Sequence, residues 1–259
     1  MDSGKGPVRV QAVRLAVPDV KTKLKLDILP QPDDTTCGPT CLHAVYAYYG
    51  DHIPLPRVIA EVTTLEAGGT LGVLLANHAL RRGYRATIYT FNLRLFDPTW
   101  FLSSDIDITS KLQAQAALKS DPKLQLASHA YIDFLALGGR LKLEDLTPAL
   151  LRGYLNRQRP ILTGLSSTYL YQTMREYGRA MVDDDLRGDP AGHFVILRGY
   201  DKDKRTIDVS DPLESNPYAA DQHYELPINR VLCSILLGIV TDDANLLIIE
   251  PHPKTNLNR

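Results

Sequence analysis

"QPDDTTCGPTCLHAVYAYYGD" (residues 31–51) joins a run of turn-forming residues to a helical pattern, with a cysteine at the junction. A chain of 259 residues with only three cysteines places two of them here. Cys37, Cys41, Val45 and Tyr48 fall on one side of a helix, Pro39 fits its first turn, and Gly50 supplies the stop signal. Cys37 then sits at the N-terminal end, where unpaired backbone N–H groups and the helix dipole favour an anion. The thiolate is the reactive form of cysteine, and a helix N-terminus is one of the settings that promote it. Cys41, one turn further in, lacks that advantage and reads as packing. Two cysteines on a helix face are equally what a buried core surface contains. A partner base decides between the two, because a thiol nucleophile needs one within hydrogen-bond reach.

Seven histidines compete for that role. His43 and His78 lie inside helical patterns, and His52, His129, His223 and His252 have no supporting motif. His193 opens the apolar strand "HFVILRGY" directly after Gly192. It belongs to "GHFVILRGYDKDKRTIDVSDP" (192–212), two alternating apolar runs around a charged turn, which predicts a hairpin. A turn centred on Lys202 sets residue 193 opposite residue 211, with Cβ atoms about 5 Å apart. A slip of one residue would put them on opposite faces. Asp201 and Asp203 belong to the turn and Asp208 to mid-strand, which leaves Asp211 beside the histidine at the open end.

Around these two pieces the chain reads as α+β. "KLKLDIL" (23–29) alternates as a half-buried strand. A turn and an amphipathic helix follow over 68–84, closed by Gly83, and "RATIYTF" (85–91) is a strand. Two helices with a Pro-containing break occupy 108–139. A helix starts at Thr147, with Pro148 in its first turn, and passes into a strand near Ile161. "INRVLCSILLG" is a late helix and "NLLIIEP" the last strand. Helices precede a mostly antiparallel sheet, in what reads as one domain spanning 1–259 with a helical insertion at about 95–145.

"QPDDTTCGPTCLHAVYAYYG", then "GHFVILRGYD" and "VSDP" in that order, resemble the papain-like cysteine peptidases that process bacteriocin leaders, peptidase family thirty-nine, and more closely their stand-alone, thirty-nine-like relatives. The resemblance covers roughly residues 27–50, 68–90, 147–165 and 191–213, less than half of the chain. It implies a papain-like fold in which an N-terminal helical part packs on the sheet. It also implies Cys37 as nucleophile, His193 as general base and acid, Asp211 as orienting carboxylate and Gln31 as oxyanion donor. A glutamine amide with the Cys37 backbone N–H would give the tetrahedral oxygen two donors. The insertion and the segment after 213 fall outside the shared core and are expected to build the substrate pocket.

The reaction expected is hydrolysis of a peptide or related amide. The same residues would serve an acyltransferase, and a peptide-binding module without activity is the remaining alternative. "STYLYQTMREYGR" (167–179) offers Tyr169, Tyr171 and Arg175 as substrate contacts. The acidic loop "DDDLRGD" (183–189), represented by Asp185, lies just before His193 and is expected to attract a basic substrate group. It fails as a calcium loop, because Phe194 stands where the twelfth-position glutamate belongs. Cys37, Cys41 and His193 suggest zinc, but no second paired cluster follows, so neither metal nor cofactor is expected. A net charge of −1 gives no general attraction to nucleic acid or anionic membrane. No window reaches the roughly 20 apolar residues of a membrane helix. The N-terminus lacks a secretory pattern and three cysteines make no disulfide framework, so the expected compartment is the cytoplasm. The sequence leaves the oligomeric state open.

Overall fold

The computed structural model describes residues 21–66, 68–178 and 180–252; the N-terminal stretch read for a leader lies outside them. The first half comprises β1 (Lys21–Lys23), α1 (Cys37–Tyr48), α2 (Leu55–Glu61), α3 (Gly72–Arg81), β2 (Tyr84–Thr90), α4 (Ile108–Leu118), α5 (Pro122–Ala136) and β3 (Arg140–Lys142). Then come α6 (Pro148–Asn156), β4 (Ile161–Ser166), α7 (Ser167–Tyr171), β5 (Glu176–Tyr177), β6 (Val182–Asp183) and β7 (Gly192–Asp201). The chain closes with β8 (Thr206–Ser210), β9 (His223–Pro227), α8 (Ile228–Leu237) and β10 (Asn245–Pro251). The main sheet runs β3-β2-β10-β4-β7-β8-β9, with β1 added to β7. All its pairings are antiparallel except β2 with β3.

Successive strand residues feed two different cores. Phe194 and Ile196 of β7 and Leu247 and Ile249 of β10 join Leu42, Tyr46, Leu75 and Phe134 from α1, α3 and α5. Val195 and Leu197 of β7 and Leu246 and Ile248 of β10 join Leu151, Leu155, Val231 and Ile235 from α6 and α8. Period-two alternation therefore buries both faces of the sheet between two helical layers. Each large aliphatic side chain fully buried in this way stabilises the fold by about 1.5–3 kcal/mol.

Helix starts follow side-chain chemistry. Asp107, Asp121 and Thr147 cap α4, α5 and α6 by accepting N–H bonds from the first turn, with Pro122 and Pro148 just inside. The predicted insertion helices match α4 and α5. Helix α5 packs against α3, with Asn77 Nδ2 donating to the Ala130 carbonyl (2.9 Å), α4 packs on α5, and together they add Leu112, Tyr131 and Phe134 to the first core. The short α2, α7, the β5–β6 ribbon and β9 went unread in the sequence.

The strand expected over 23–29 differs. Only Lys21–Lys23 pairs as a strand, against Gly199–Asp201 of β7. From Leu197 back to Gly192 that edge of β7 is occupied by β4. Residues 24–28 therefore run on without strand pairing, while Leu24, Leu26 and Ile28 stay buried. Gly199 is required where β1 crosses, since a Cβ there would lie 2.5 Å from the Thr22 carbonyl oxygen.

Candidate active site

Cys37 is the first residue of α1. Unlike α4, α5 and α6, this helix has no side-chain cap: the Thr36 hydroxyl donates instead to the Asp33 carbonyl (3.0 Å). Asp33 also accepts the Thr35 N–H (2.8 Å) and hydroxyl (2.7 Å), which folds 33–36 into a tight approach. The first-turn amides of α1 therefore receive no side-chain acceptor. Beneath them, Gly38 lets the helix lie close to its neighbours, because a Cβ at 38 would stand 2.7 Å from Thr70 Cγ2 and 3.2 Å from Phe194 Cδ2.

The predicted hairpin is β7–β8, but its register differs from the one expected. The turn is Lys202–Arg205, with Asp201 opposite Thr206 and Gly199 opposite Asp208. Continued unbroken, that register sets His193 opposite Glu214 and turns Asp211 to the other face. A bulge intervenes: beyond it Leu197 faces Val209 and Ile196 faces Ser210. Arg198 is the extra residue. It is buried, its Nε donates to Asp208 Oδ1 (2.6 Å) and its Nη1 to the Leu26 carbonyl (3.0 Å). The one-residue shift returns Asp211 to the face of His193, diagonal to it and not directly opposite.

His193 Nε2 meets Asp211 Oδ1 at 2.8 Å. A carboxylate only accepts, so Nε2 carries the hydrogen and Nδ1 is the remaining ring nitrogen. Cys37 interacts with the same imidazole and favours its charged form. Burial opposes charge on His193, but the Asp211 carboxylate and Cys37 together outweigh it and push its pKa up to about 10. Asp211 is completely buried. Burial alone would raise its pKa, yet His193 and the hydroxyls of Tyr171 and Tyr224 hold it below the usual carboxylate range. Its Oδ1 also accepts the Leu213 N–H (2.9 Å), and its Oδ2 accepts Tyr171 and Tyr224, each at 2.6 Å. Cys41 is fully buried and donates to the Phe194 carbonyl (3.3 Å); burial, then Cys37 and Asp211, push its thiol well up. One cysteine is reachable and the other is packed.

Gln31 is brought to the same place by its backbone N–H, which donates to the Pro212 carbonyl (2.9 Å). Its side-chain Nε2 donates to the Asp33 carbonyl (2.9 Å), and its Oε1 is buried without a partner. Gln31, Tyr171 and His193 all line a cleft of about 470 Å³. Its walls carry three carboxylates, Asp34, Glu176 and Asp183, and neither lysine nor arginine among the described lining residues. Burial, then Asp183 and Asp34, raise the Glu176 pKa.

The other residues singled out in the sequence fall elsewhere. Tyr169 is 40% exposed, its ring lies under the Arg230 guanidinium, and it does not line the cleft. Arg175 donates to the Asp185 and Leu186 carbonyls and thereby closes the acidic loop. Asp185 enters through its backbone, outside the cleft, whereas Asp183 of the same loop and Glu176 are in the wall. The insertion contributes no lining residue, in contrast to the expectation, because its apolar faces are spent on the first core; Ser215 and Pro217 from the segment after 213 do contribute. Tyr224, unread in the sequence, lies on the five-residue strand "HYELP", where it alternates with Leu226. Among the described residues no group of three or more His, Cys, Asp or Glu side chains is arranged to hold a metal. No described helix is long and apolar enough to cross a membrane.

No family model matches the chain, and no curated protein does. Among solved structures it is similar to a double-glycine-motif protease from an AMS/PCAT transporter, in complex with the leader peptide. That match has 14% identity and a TM-score of 0.43, over 89% of this chain and 94% of that one. A C39-like peptidase from Bacillus anthracis matches at 12% identity and a TM-score of 0.46, over 90% and 98% of the two chains. Xylellain, a cysteine protease from Xylella fastidiosa, matches at 14% and 0.42, over 92% and 88%. At these scores the likenesses carry no weight for the chemistry, which rests on the side chains themselves.

Proposed function

We propose that the protein is a papain-like thiol peptidase or amidase acting on a peptide-like substrate in the cleft beside His193. The observation that carries this is one buried imidazole, bonded through Nε2 to a buried carboxylate, whose charged form a helix-starting cysteine also favours. With its pKa pushed to about 10, His193 holds both ring protons at neutral pH, and the nucleophilic form of a cysteine is the thiolate. The thiolate attacks the scissile carbonyl carbon, and the C–O π electrons move to oxygen. The Cys37 N–H and the Gln31 amide, once turned from Asp33, are the donors at hand for that oxyanion. Collapse expels the amine, which takes the Nδ1 proton. Neutral Nδ1 then accepts a proton from water as it attacks the thioester, and the carboxylic acid leaves with the thiolate restored. Three carboxylates in the walls favour a substrate with a cationic group near the cleaved bond. A set of acyl-peptide substrates, assayed with wild type and Cys37→Ala, tests the function: turnover by the Cys37→Ala protein overturns it.

A further inference from the structure

Asp211 sits in a box of aromatic hydroxyls for which the triad chemistry alone gives no reason. Tyr171, at the end of α7, and Tyr224, on β9, both donate to Oδ2 at 2.6 Å. Tyr218 fills the space between them, its ring centroid 6.1 Å from Tyr171 and 5.0 Å from Tyr224, with its own hydroxyl donating to the Leu170 carbonyl. The other oxygen takes His193 and the Leu213 N–H. Four donors thus converge on a carboxylate with no exposed surface. An anion removed from water persists only when its lone pairs are met. Hydrogen bonds to the charged form are what keep a buried acid ionised.

We propose that Tyr171 and Tyr224 are positioning residues: their hydroxyls hold Asp211 ionised, with Oδ1 aimed at His193 Nε2, so that Nδ1 is the nitrogen left to serve Cys37. This rests on the triad assignment above. The ionisable groups facing Asp211 are His193 from β7, Cys41 from α1, Tyr171 from α7 and Tyr224 from β9. Burial and the adjoining carboxylate push both tyrosines far above their ordinary value, so they remain donors throughout the working range. Cys41 stays a neutral thiol for the same reasons. Asp211 and His193 are therefore the members of this group that titrate. Loss of a tyrosine donor leaves the Asp211 anion less supported, and it takes up a proton at higher pH. The imidazolium that serves Cys37 then loses its anchor.

The test uses Tyr171→Phe, Tyr224→Phe and the double variant, each checked for folding by near-ultraviolet circular dichroism. Two readouts are taken: the pH dependence of Cys37 alkylation by iodoacetamide, and the Asp211 carboxyl-carbon resonance followed by NMR in a Cys37→Ala background. Each single variant should move the acid-side inflection of both curves up by about one pH unit, the double by more. A uniform loss of alkylation rate with unmoved inflections makes the tyrosines merely structural and overturns the proposal. An unmoved Asp211 resonance curve overturns it as well, with the triad intact. Should wild-type Cys37 react no faster than a free thiol, the triad assignment itself falls, and this proposal with it. If the double variant does not fold, the singles decide.

Discussion

His193 and Asp211 share a face of the sheet because β7 carries one residue more than β8 between the hairpin turn and the site. Gly199 opposite Asp208 on the turn side becomes Leu197 opposite Val209 on the site side, and Arg198 is the residue taken up. Side chains alternate with period two, so an odd insertion is what exchanges faces. Deleting Arg198 should shift β7 by one, turn Asp211 away from His193 and abolish alkylation of Cys37 at mildly acidic pH. Retained reactivity in a folded deletion variant would refute this account.

The bulge is held by a buried ion pair. Arg198 and Asp208 side chains are 8% and 7% exposed, and Lys23 joins Asp208 at 2.6 Å. Asp208→Ala leaves the guanidinium buried without its partner and is expected to cost about 3 kcal/mol. Urea unfolding measures the loss.

Of the three cysteines, Cys37 is partly exposed, Cys41 buried and Cys233 exposed. At about pH 5.5 an ordinary thiol is almost wholly protonated, so iodoacetamide should label wild type and Cys41→Ala once, at Cys37, and Cys37→Ala not at all. Peptide mapping by mass spectrometry identifies the site. Labelling spread equally over Cys37 and Cys233 at that pH would show no special reactivity at the helix start.

The His193 pKa is raised, so the sign of its pH effect is definite. Its charged pairing with Asp211 is complete below the unfolded value near 6.5 and is lost as pH rises through about 10. Stability should decline across that window, and His193→Ala should abolish this part of the decline in urea titrations at several pH values. Alkylation by iodoacetate, an anion drawn by the imidazolium, should fall above pH 10, where an ordinary cysteine continues to react.

The cleft carboxylates predict substrate preference. Asp34→Asn, Glu176→Gln and Asp183→Asn should each lower kcat/KM for peptides with an arginine or lysine near the cleaved bond, by about threefold singly and more when combined. Neutral peptides should be little affected, and the preference should weaken as ionic strength rises. Equal losses for cationic and neutral substrates would assign these residues to structure.

Much of this site is legible along the chain because its parts are local. A helix beginning at Cys37, a strand opening at His193 and a carboxylate closing the next strand are all periodicity and turn chemistry. The partners of Asp211 are not of that kind. Tyr171 is 40 residues from it and Tyr224 is 13, on elements too short to leave a pattern. Among the acids of 183–189, sequence favoured Asp185; a two-residue ribbon instead aims Asp183 and Glu176 into the cleft, while the Asp185 backbone holds Arg175.

By itself, then, the order of residues determined which thiol, imidazole and carboxylate were eligible, since helix ends and strand ends are set by near neighbours. Tertiary structure decided whether they meet. The decisive residue is Arg198, whose guanidinium reaches the carbonyl of Leu26, 172 residues away. A bulge stabilised by so distant an acceptor has no signature in local periodicity, and without it the same strands present His193 and Asp211 to opposite layers.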